Sequence, residues 1–394
     1  MTHERIRFPI PQRELERRWQ AIRAGMAQEG IDALIAQDGN QWLGGYVRYL
    51  TDIPGENQYI MSVYFPADEE MTIITSGGDP LPPAPPEWAV RGVKTRKSLP
   101  YFRSLNYTDP FDAEEICQII KARGDKKVGW IGLGHFSAYF YQYLKDHLPQ
   151  VEFVDATDMV DGIKAVKSED ELIYVRKCVN MQDVVCAALP SIVIPGKYEY
   201  QIRGEVIKIL EELGSEEQLI MLGAEKMGAR TGHFPPFYHN RRVDKGDQFF
   251  IMIEVNGPGG YYGEIGRTWC LGEPSRELVA AYETAFEAQH RAAALLKPGV
   301  VPAQVLEANN AFMVSQGYLA ENRLFAHGQG YDLVERPAFR HEETMLLQAG
   351  MVVAVHPIAF NDKAYAFACD NYLVTESGCE LLHKTPQEVL LIDC

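Results

Sequence analysis

The sequence lacks the marks of a membrane or secreted protein. No apolar run approaches the roughly 18–20 residues needed to cross a bilayer, and the opening Met1-Thr2-His3-Glu4-Arg5-Ile6-Arg7 has no apolar stretch of the signal-peptide kind. The seven cysteines (Cys117, Cys178, Cys186, Cys270, Cys369, Cys379 and Cys394) are dispersed, with no CxxC pair and no regular spacing. Such a set argues against a disulfide framework and predicts free, buried thiols in a reducing compartment. Basic charge is scarce as well: 38 Lys and Arg stand against 54 Asp and Glu, a formal net charge of −16. That balance argues against nucleic acid or an anionic membrane as partner, because both select positive surface. A cleft can carry a potential unlike that of the whole chain, so a small-molecule substrate is left open. The expectation is a cytoplasmic protein.

What is present is an ordinary globular composition, 46% hydrophobic and 23% charged, over 394 residues. That length is too great for one compact core and predicts two domains. The N-terminal part alternates helix and strand patterns. Leu15, Trp19, Ile22 and Met26 recur at helical spacing within 12–30. Residues 31–36, 59–65, 71–75 and 127–132 read as strands, and the Gly- and Pro-rich segment 78–86 as a loop. The alternation implies an α/β domain. A helix start at Ser168, with Glu171 three residues on as a capping box, opens a long helix over 169–189 and puts the domain boundary near 155–165. The division is taken as 1–160 and 161–394. The second part mixes helices near 199–213, 275–297 and 302–316 with strands near 248–256, 261–271, 351–360 and 365–375.

Four motifs carry the chemistry: Gly260-Tyr261-Tyr262-Gly263-Glu264-Ile265-Gly266-Arg267-Thr268, Ala326-His327-Gly328-Gln329-Gly330, Met351-Val352-Val353-Ala354-Val355-His356-Pro357, and Cys369-Asp370-Asn371-Tyr372-Leu373-Val374-Thr375-Glu376. In this order and at these separations they resemble the creatinase / prolidase / methionine aminopeptidase family. The resemblance covers essentially the full length. It implies an α/β N-terminal domain followed by an α+β pita-bread catalytic domain, in whose peptidases five side chains hold two metal ions. Here the frame is kept and most ligands are changed.

The resemblance places the first ligand eleven residues ahead of Glu264, at Ile253, which cannot bind metal. Its neighbour Glu254 is a carboxylate, but successive strand residues face opposite sides. Glu254 therefore either reaches the site through a one-residue slip, as in the dimethylsulfoniopropionate lyases of the family, or sits on the far face with a cation or water. Glu264 stands at the bridging-aspartate position, and its longer side chain would not reproduce the same bridge. His327 matches the family histidine, with Gly328 and Gly330 allowing close backbone approach. His356 replaces a ligand glutamate. Cys369 replaces the last one and is either a thiolate ligand or a small buried apolar residue. Val334-Glu335-Arg336-Pro337 stands where the family has His-Glu-x-Pro, so a substrate-contacting histidine is missing. His233, ahead of the Asp244-Lys245-Gly246-Asp247 turn, matches the creatinase proton carrier approximately, and imidazole titrates near neutrality. The alternative for His233 is a surface-loop histidine, with His239 a weaker competitor. Tyr262, Arg267 and Phe234 are candidates for contact with substrate or for support of the cleft.

The site predicted is therefore one divalent ion (iron, zinc or manganese) held by Glu264, His327 and His356 with Cys369 or Glu254, or no metal at all. The leading expectation is a creatinase-like hydrolase of a non-peptide C–N bond in a small nitrogen-containing metabolite, with His233, His327 and Glu264 catalytic. The alternatives are a mononuclear-metal lyase or hydrolase, a Xaa-Pro peptidase, and a non-catalytic binding member. The resemblance implies a homodimer, in which residues 42–58 of one subunit would help to cover the site of the other.

Overall fold

In the computed structural model, residues 7–38, 45–55, 59–77 and 90–393 are described. The loop expected over 78–86 lies outside them, as do 42–44 and 56–58 of the segment expected to cover a neighbouring site. The chain forms two compact units, Met1–Lys164 and Ala165–Cys394.

The first unit is built on a six-stranded mixed sheet of order β4-β3-β2-β1-β5-β6. In chain order its elements are α1 (Gln12–Glu29), β1 (Ala33–Gln37), α2 (Gly45–Thr51), β2 (Met61–Pro66), β3 (Met71–Ser76), β4 (Val93–Leu99), α3 (Phe111–Arg123), β5 (Lys127–Ile131), α4 (Ala138–His147), β6 (Glu152–Asp155) and α5 (Thr157–Lys164). Leu15, Trp19, Ile22 and Met26 form the buried stripe of α1, which ends at Gly30 in the left-handed conformation, φ 66°. Parallel pairing of β1 with β5 and of β5 with β6 requires crossovers, and α3 and α4 supply apolar faces. Ile116, Ile120, Phe140 and Leu144 pack with Ala33, Ile35, Val128 and Trp130 of the sheet. Each such side chain contributes on the order of 1.5–3 kcal/mol. Strands β4 and β6 were not anticipated; β4, Val-Lys-Thr-Arg-Lys-Ser-Leu, is too cationic to read as a strand from hydropathy.

The second unit opens with α6 (Glu169–Ile192). Its capping box is formed: Glu171 N–H donates to Ser168 Oγ at 3.3 Å, and Ser168 N–H to Glu171 Oε2 at 2.7 Å. There follow α7 (Glu199–Glu212), β7 (Gln218–Lys226), β8 (Asp247–Asn256), β9 (Tyr262–Cys270), α8 (Arg276–Ala293), α9 (Pro302–Ser315), β10 (Ala326–Gly328), β11 (Glu335–Ala338), β12 (Val352–Val355), β13 (Ile358–Phe360), β14 (Tyr365–Phe367), β15 (Asp370–Val374), β16 (Cys379–Leu381) and β17 (Leu390–Leu391). One sheet has the order β17-β9-β8-β7, a second β11-β10-β12-β15-β16, and β13 pairs with β14.

Alternation on β8 and β9 separates core from site. Ile251, Ile253, Val255 and Ile265 pack with Val185 and Leu189 of α6 and Val206 and Leu210 of α7. The other face carries Phe250 and Met252, which cluster with Tyr365, Phe367 and Cys369. The runs expected as single strands over 351–360 and 365–375 are each broken, at 356–357 and 368–369. Pro357 has no N–H to continue a ladder. The break turns the distal hairpin into its own two-stranded sheet, and at 369 the chain bridges to Gly266 of β9 instead (Gly266 N to Cys369 O, 3.2 Å).

Candidate active site

Glu264, His327 and His356 converge. The three come from β9, β10 and the residue after β12. They are 2%, 3% and 7% exposed, and one potential ligand atom from each lies within 4.8 Å of the others. Both imidazole Nε2 atoms approach the same oxygen, Glu264 Oε1, at 3.4 Å from His327 and 3.6 Å from His356. That oxygen is buried and accepts no hydrogen bond, a cost of roughly 1–3 kcal/mol for a group left so. Two of the three are held from behind by hydrogen bonds, while His356 Nδ1 has no hydrogen-bond partner. His327 Nδ1 donates to Gly328 O at 2.9 Å, which leaves Nε2 facing Glu264. Glu264 N–H donates to Asn371 Oδ1 (2.8 Å), and Asn371 Nδ2 donates to Gln329 Oε1 (2.6 Å). The His356 ring stacks on Phe367, centroids 5.5 Å apart and 8° from parallel.

Two imidazoles and a carboxylate are a donor set for iron(II) or zinc, and the unpartnered Oε1 between two Nε2 atoms fits a cation. Burial pushes the Glu264 carboxyl up, but His327 and His356 outweigh it and its pKa falls below the ordinary value. Burial works against charge on His327, yet Glu264 raises it overall. His356 is pushed down to about 3 by burial, with His327 and Arg323 adding to the effect, so it presents a neutral ring, the form that ligates metal.

The register answers the question posed by Ile253. Glu254 and Glu264 are direct cross-strand partners, and Ile253 pairs with Ile265. Glu254 therefore lies on Glu264's face with no slip in the ladder, and Ile253 belongs to the core. Burial and then the Glu264 charge push the Glu254 carboxyl well above its usual pKa. Cys369, offered as a ligand, is fully buried in an apolar cluster. Its Sγ is 3.8 Å from the main-chain oxygen of Glu264, and burial holds its thiol protonated. Glu254 and Cys369 are thus neighbours of the three-residue cluster rather than part of it.

Arg267 points to the face opposite Glu264, and its guanidinium is committed to Asp370 Oδ1 (2.6 Å) and to the carbonyls of Gly266, Cys369, Thr385 and Pro386. A fully engaged, fully buried arginine braces the site and has no donor left for substrate. The Phe234 ring lies against Gly223 and Gly232 and is half exposed. Tyr262 is buried at the head of β9, its N–H donating to Gly330 O at 2.7 Å. His239 braces its own loop through Phe234 O (2.6 Å), and Glu335 is ion-paired with buried Lys167 at 2.9 Å.

His233 packs beside Phe367, centroids 5.2 Å apart, and its Nδ1 hydrogen-bonds the Tyr365 hydroxyl. Burial and the nearby Arg323 push it down to about 4. It lines a cavity of about 320 Å³ with Arg230, Asn309, Arg323 and Tyr365. Asn371, Tyr365, Phe367 and these cavity residues were not singled out from sequence. Only Asn371 lay inside a recognised motif; Tyr365 and Phe367 lie on β14, Asn309 within α9, and Arg230 and Arg323 in loops.

Residues 174–376 match the model of metallopeptidase family M24 and residues 18–166 that of the creatinase/prolidase N-terminal domain. The chain is similar to a probable dipeptidase PepE of Mycobacterium bovis, 28% identical over 243 residues, 60% of this chain and 63% of that protein. The match thus spans less than two thirds of that relative's length. It is also similar to an ectoine hydrolase of Halomonas elongata, 24% identical over 98% of this chain and 99% of that one. The solved structure of dipeptidase PepE from Mycobacterium ulcerans superposes with a TM-score of 0.78 at 23% identity, covering 98% of this chain and 100% of that one, a likeness of fold. Among the described residues no helix is long and apolar enough to cross a membrane.

Proposed function

The chain belongs to metallopeptidase family M24, and on that premise we propose a hydrolase of a non-peptide C–N bond in a small nitrogen-containing metabolite, working with a single divalent ion. The observation that carries the reading is the buried Glu264, His327 and His356 cluster, with Ile253 in the core and Cys369 in an apolar wall where the two-metal peptidases of the resemblance keep carboxylates. These three side chains would hold iron, zinc or manganese, which when bound supplies charge stabilisation and a more acidic water. Ionised Glu264 balances positive charge, and the Glu254 carboxyl lies beside it on the same face of the sheet. His233 is neutral near pH 7. In the tautomer that donates Nδ1–H to Tyr365, its Nε2 can take a proton from the attacking water. The aromatic wall of Phe250, Tyr365 and Phe367 limits solvent on one side. A homodimer in the cytoplasm completes the proposal.

The test is elemental analysis of protein purified without added metal, beside His356→Ala. One equivalent of iron, zinc or manganese per chain, lost in the variant, is expected. Two equivalents, or turnover by metal-free protein, would overturn the single-ion reading. A second reading, a Xaa-Pro dipeptidase, is favoured by one observation: Glu254 and Glu264 share a face, so two carboxylates are available where sequence counting found one. Cleavage of Xaa-Pro dipeptides with added manganese or cobalt would establish it; inert dipeptides would dismiss it.

A further inference from the structure

The loop after β16 reaches the Glu264 cluster through buried polar side chains that the proposed chemistry does not use. It is tied to α6: the Lys384 and Thr385 N–H groups and the Thr385 hydroxyl donate to Asp183 at 2.6–3.1 Å. Within this loop His383 is 4% exposed, and both its ring nitrogens are engaged. Nδ1 accepts from the Asn371 main-chain N–H at 3.2 Å, and Nε2 lies 3.0 Å from Gln182 Oε1. Gln182 is fully buried and donates its Nε2 to Ile253 O at 2.8 Å, so its oxygen is the end that faces the ring. The imidazole proton therefore sits on Nε2, and Nδ1 presents a lone pair. Asp370 Oδ1 is 3.3 Å from the same Nδ1 but already accepts from Arg267 at 2.6 Å. Asn371 is thus held through its main chain on two sides, because Leu382 N–H donates to its carbonyl at 3.0 Å. Its side chain is the amide that accepts from Glu264 N–H and donates to Gln329. It also stands in one cross-strand row with Ala354 and His327. There is no slack in this packing: a Cβ at Gly263 would lie 2.8 Å from Gln182 Oε1 and 3.3 Å from Asn371 Oδ1.

We propose that His383 is a positioning residue for the Glu264 cluster: its Nδ1 lone pair fixes the main chain of Asn371, and Asn371 in turn fixes Glu264. This rests on the reading above that the cluster holds a divalent ion. Partners that orient a ligand from outside the coordination sphere set metal affinity through geometry, and His383 stands one hydrogen bond further out than Asn371. A neutral imidazole suits the place because one rigid ring offers an acceptor near its base and a donor at its tip. The two bonds have separate consequences. The Nδ1 bond bears on Glu264 through Asn371, whereas the Nε2 bond only joins the loop to α6.

Two variants of the full-length protein separate those bonds. His383→Asn keeps an acceptor at the place of Nδ1 and loses the donor to Gln182; His383→Gln keeps an N–H for Gln182 and loses the acceptor for Asn371. Each removes one hydrogen bond, so a merely structural histidine would make the two variants alike. Zinc affinity, by competition with a chromogenic chelator, should fall about tenfold or more in His383→Gln and stay near wild type in His383→Asn. Deuterium uptake by metal-free protein at the peptide carrying Glu264 should be faster in His383→Gln alone. Should that variant not fold, His383→Met, which keeps the bulk and neither bond, takes its place with the same expectation. Equal effects in the two variants, or wild-type affinity and uptake in the one lacking the acceptor, would overturn the proposal. The uptake measurement also separates it from the reading on which it rests. Protein that binds no zinc but shows fast uptake only without the acceptor supports the positioning and removes the single-ion centre; zinc binding with identical uptake in both variants removes the positioning and leaves the centre.

Discussion

The carboxylate of Glu264 is shared by two imidazoles, and its position depends on an amide that touches no ligand atom. Asn371 accepts from the Glu264 N–H and donates to Gln329. Asn371→Leu is expected to lower metal affinity by about 10–100-fold, read by competition with a chromogenic chelator; unchanged affinity would show that Glu264 needs no such support. Behind the site, Arg267 and Asp370 form an ion pair with both side chains fully buried. Asp370→Asn leaves the guanidinium uncompensated and should cost about 3–5 kcal/mol, seen as a lower urea midpoint; a midpoint within experimental error of wild type would refute the assignment. Residue identity alone left Arg267 between substrate contact and support of the cleft. A guanidinium in a motif is equally suited to either face of a strand, and only the register says which face it takes.

At the scale of elements, the devices with short-range causes were legible. The box at Ser168 starts α6 where the sequence places it, and Ser168→Ala should cost about 1 kcal/mol in thermal or urea unfolding. The hairpin 351–375 was legible only as a pair of strands. Pro357 breaks the first ladder and the bridge at Cys369 breaks the second, and those breaks set His356 and Cys369 at the junction of two sheets. Gly328 shows why glycine flanks His327: a Cβ there would stand 2.3 Å from the Arg336 carbonyl oxygen. Gly328→Ala should therefore disturb the β10–β11 pairing and lower metal content together. A variant with full metal content would mean that the strand yields without moving His327.

For the whole molecule, two kinds of stability should separate. Metal bound only by the folded second unit adds about 2.7 kcal/mol when free metal is a hundredfold above Kd, so chelation should lower its melting temperature, and His356→Ala should not respond. The first unit has a titrating core group. Asp112, buried beside Gln37 and Ser62, is pushed up to about 6 by burial despite Arg103. Its folded pKa lies above the unfolded one, so the native state binds the extra proton. The associated stability, about 3 kcal/mol at most, is present below pH ~4 and is lost as pH rises through 6. Urea midpoints should fall between pH 4.5 and 6.5 in wild type and less so in Asp112→Asn; parallel midpoints in both would sink the assignment. The amino-acid order by itself determined the α/β character of the first part, the amphipathic helices and the capping box, because each rests on interactions between residues near in sequence, and it carried the motifs whose resemblance implied the pita-bread class. The tertiary structure decided that Glu254 rather than position 253 faces Glu264, that Arg267 turns away, and that Arg230 and Asn309 share a cavity with His233. Those outcomes depend on strand register and on contacts between residues far apart in the chain, which no local pattern encodes.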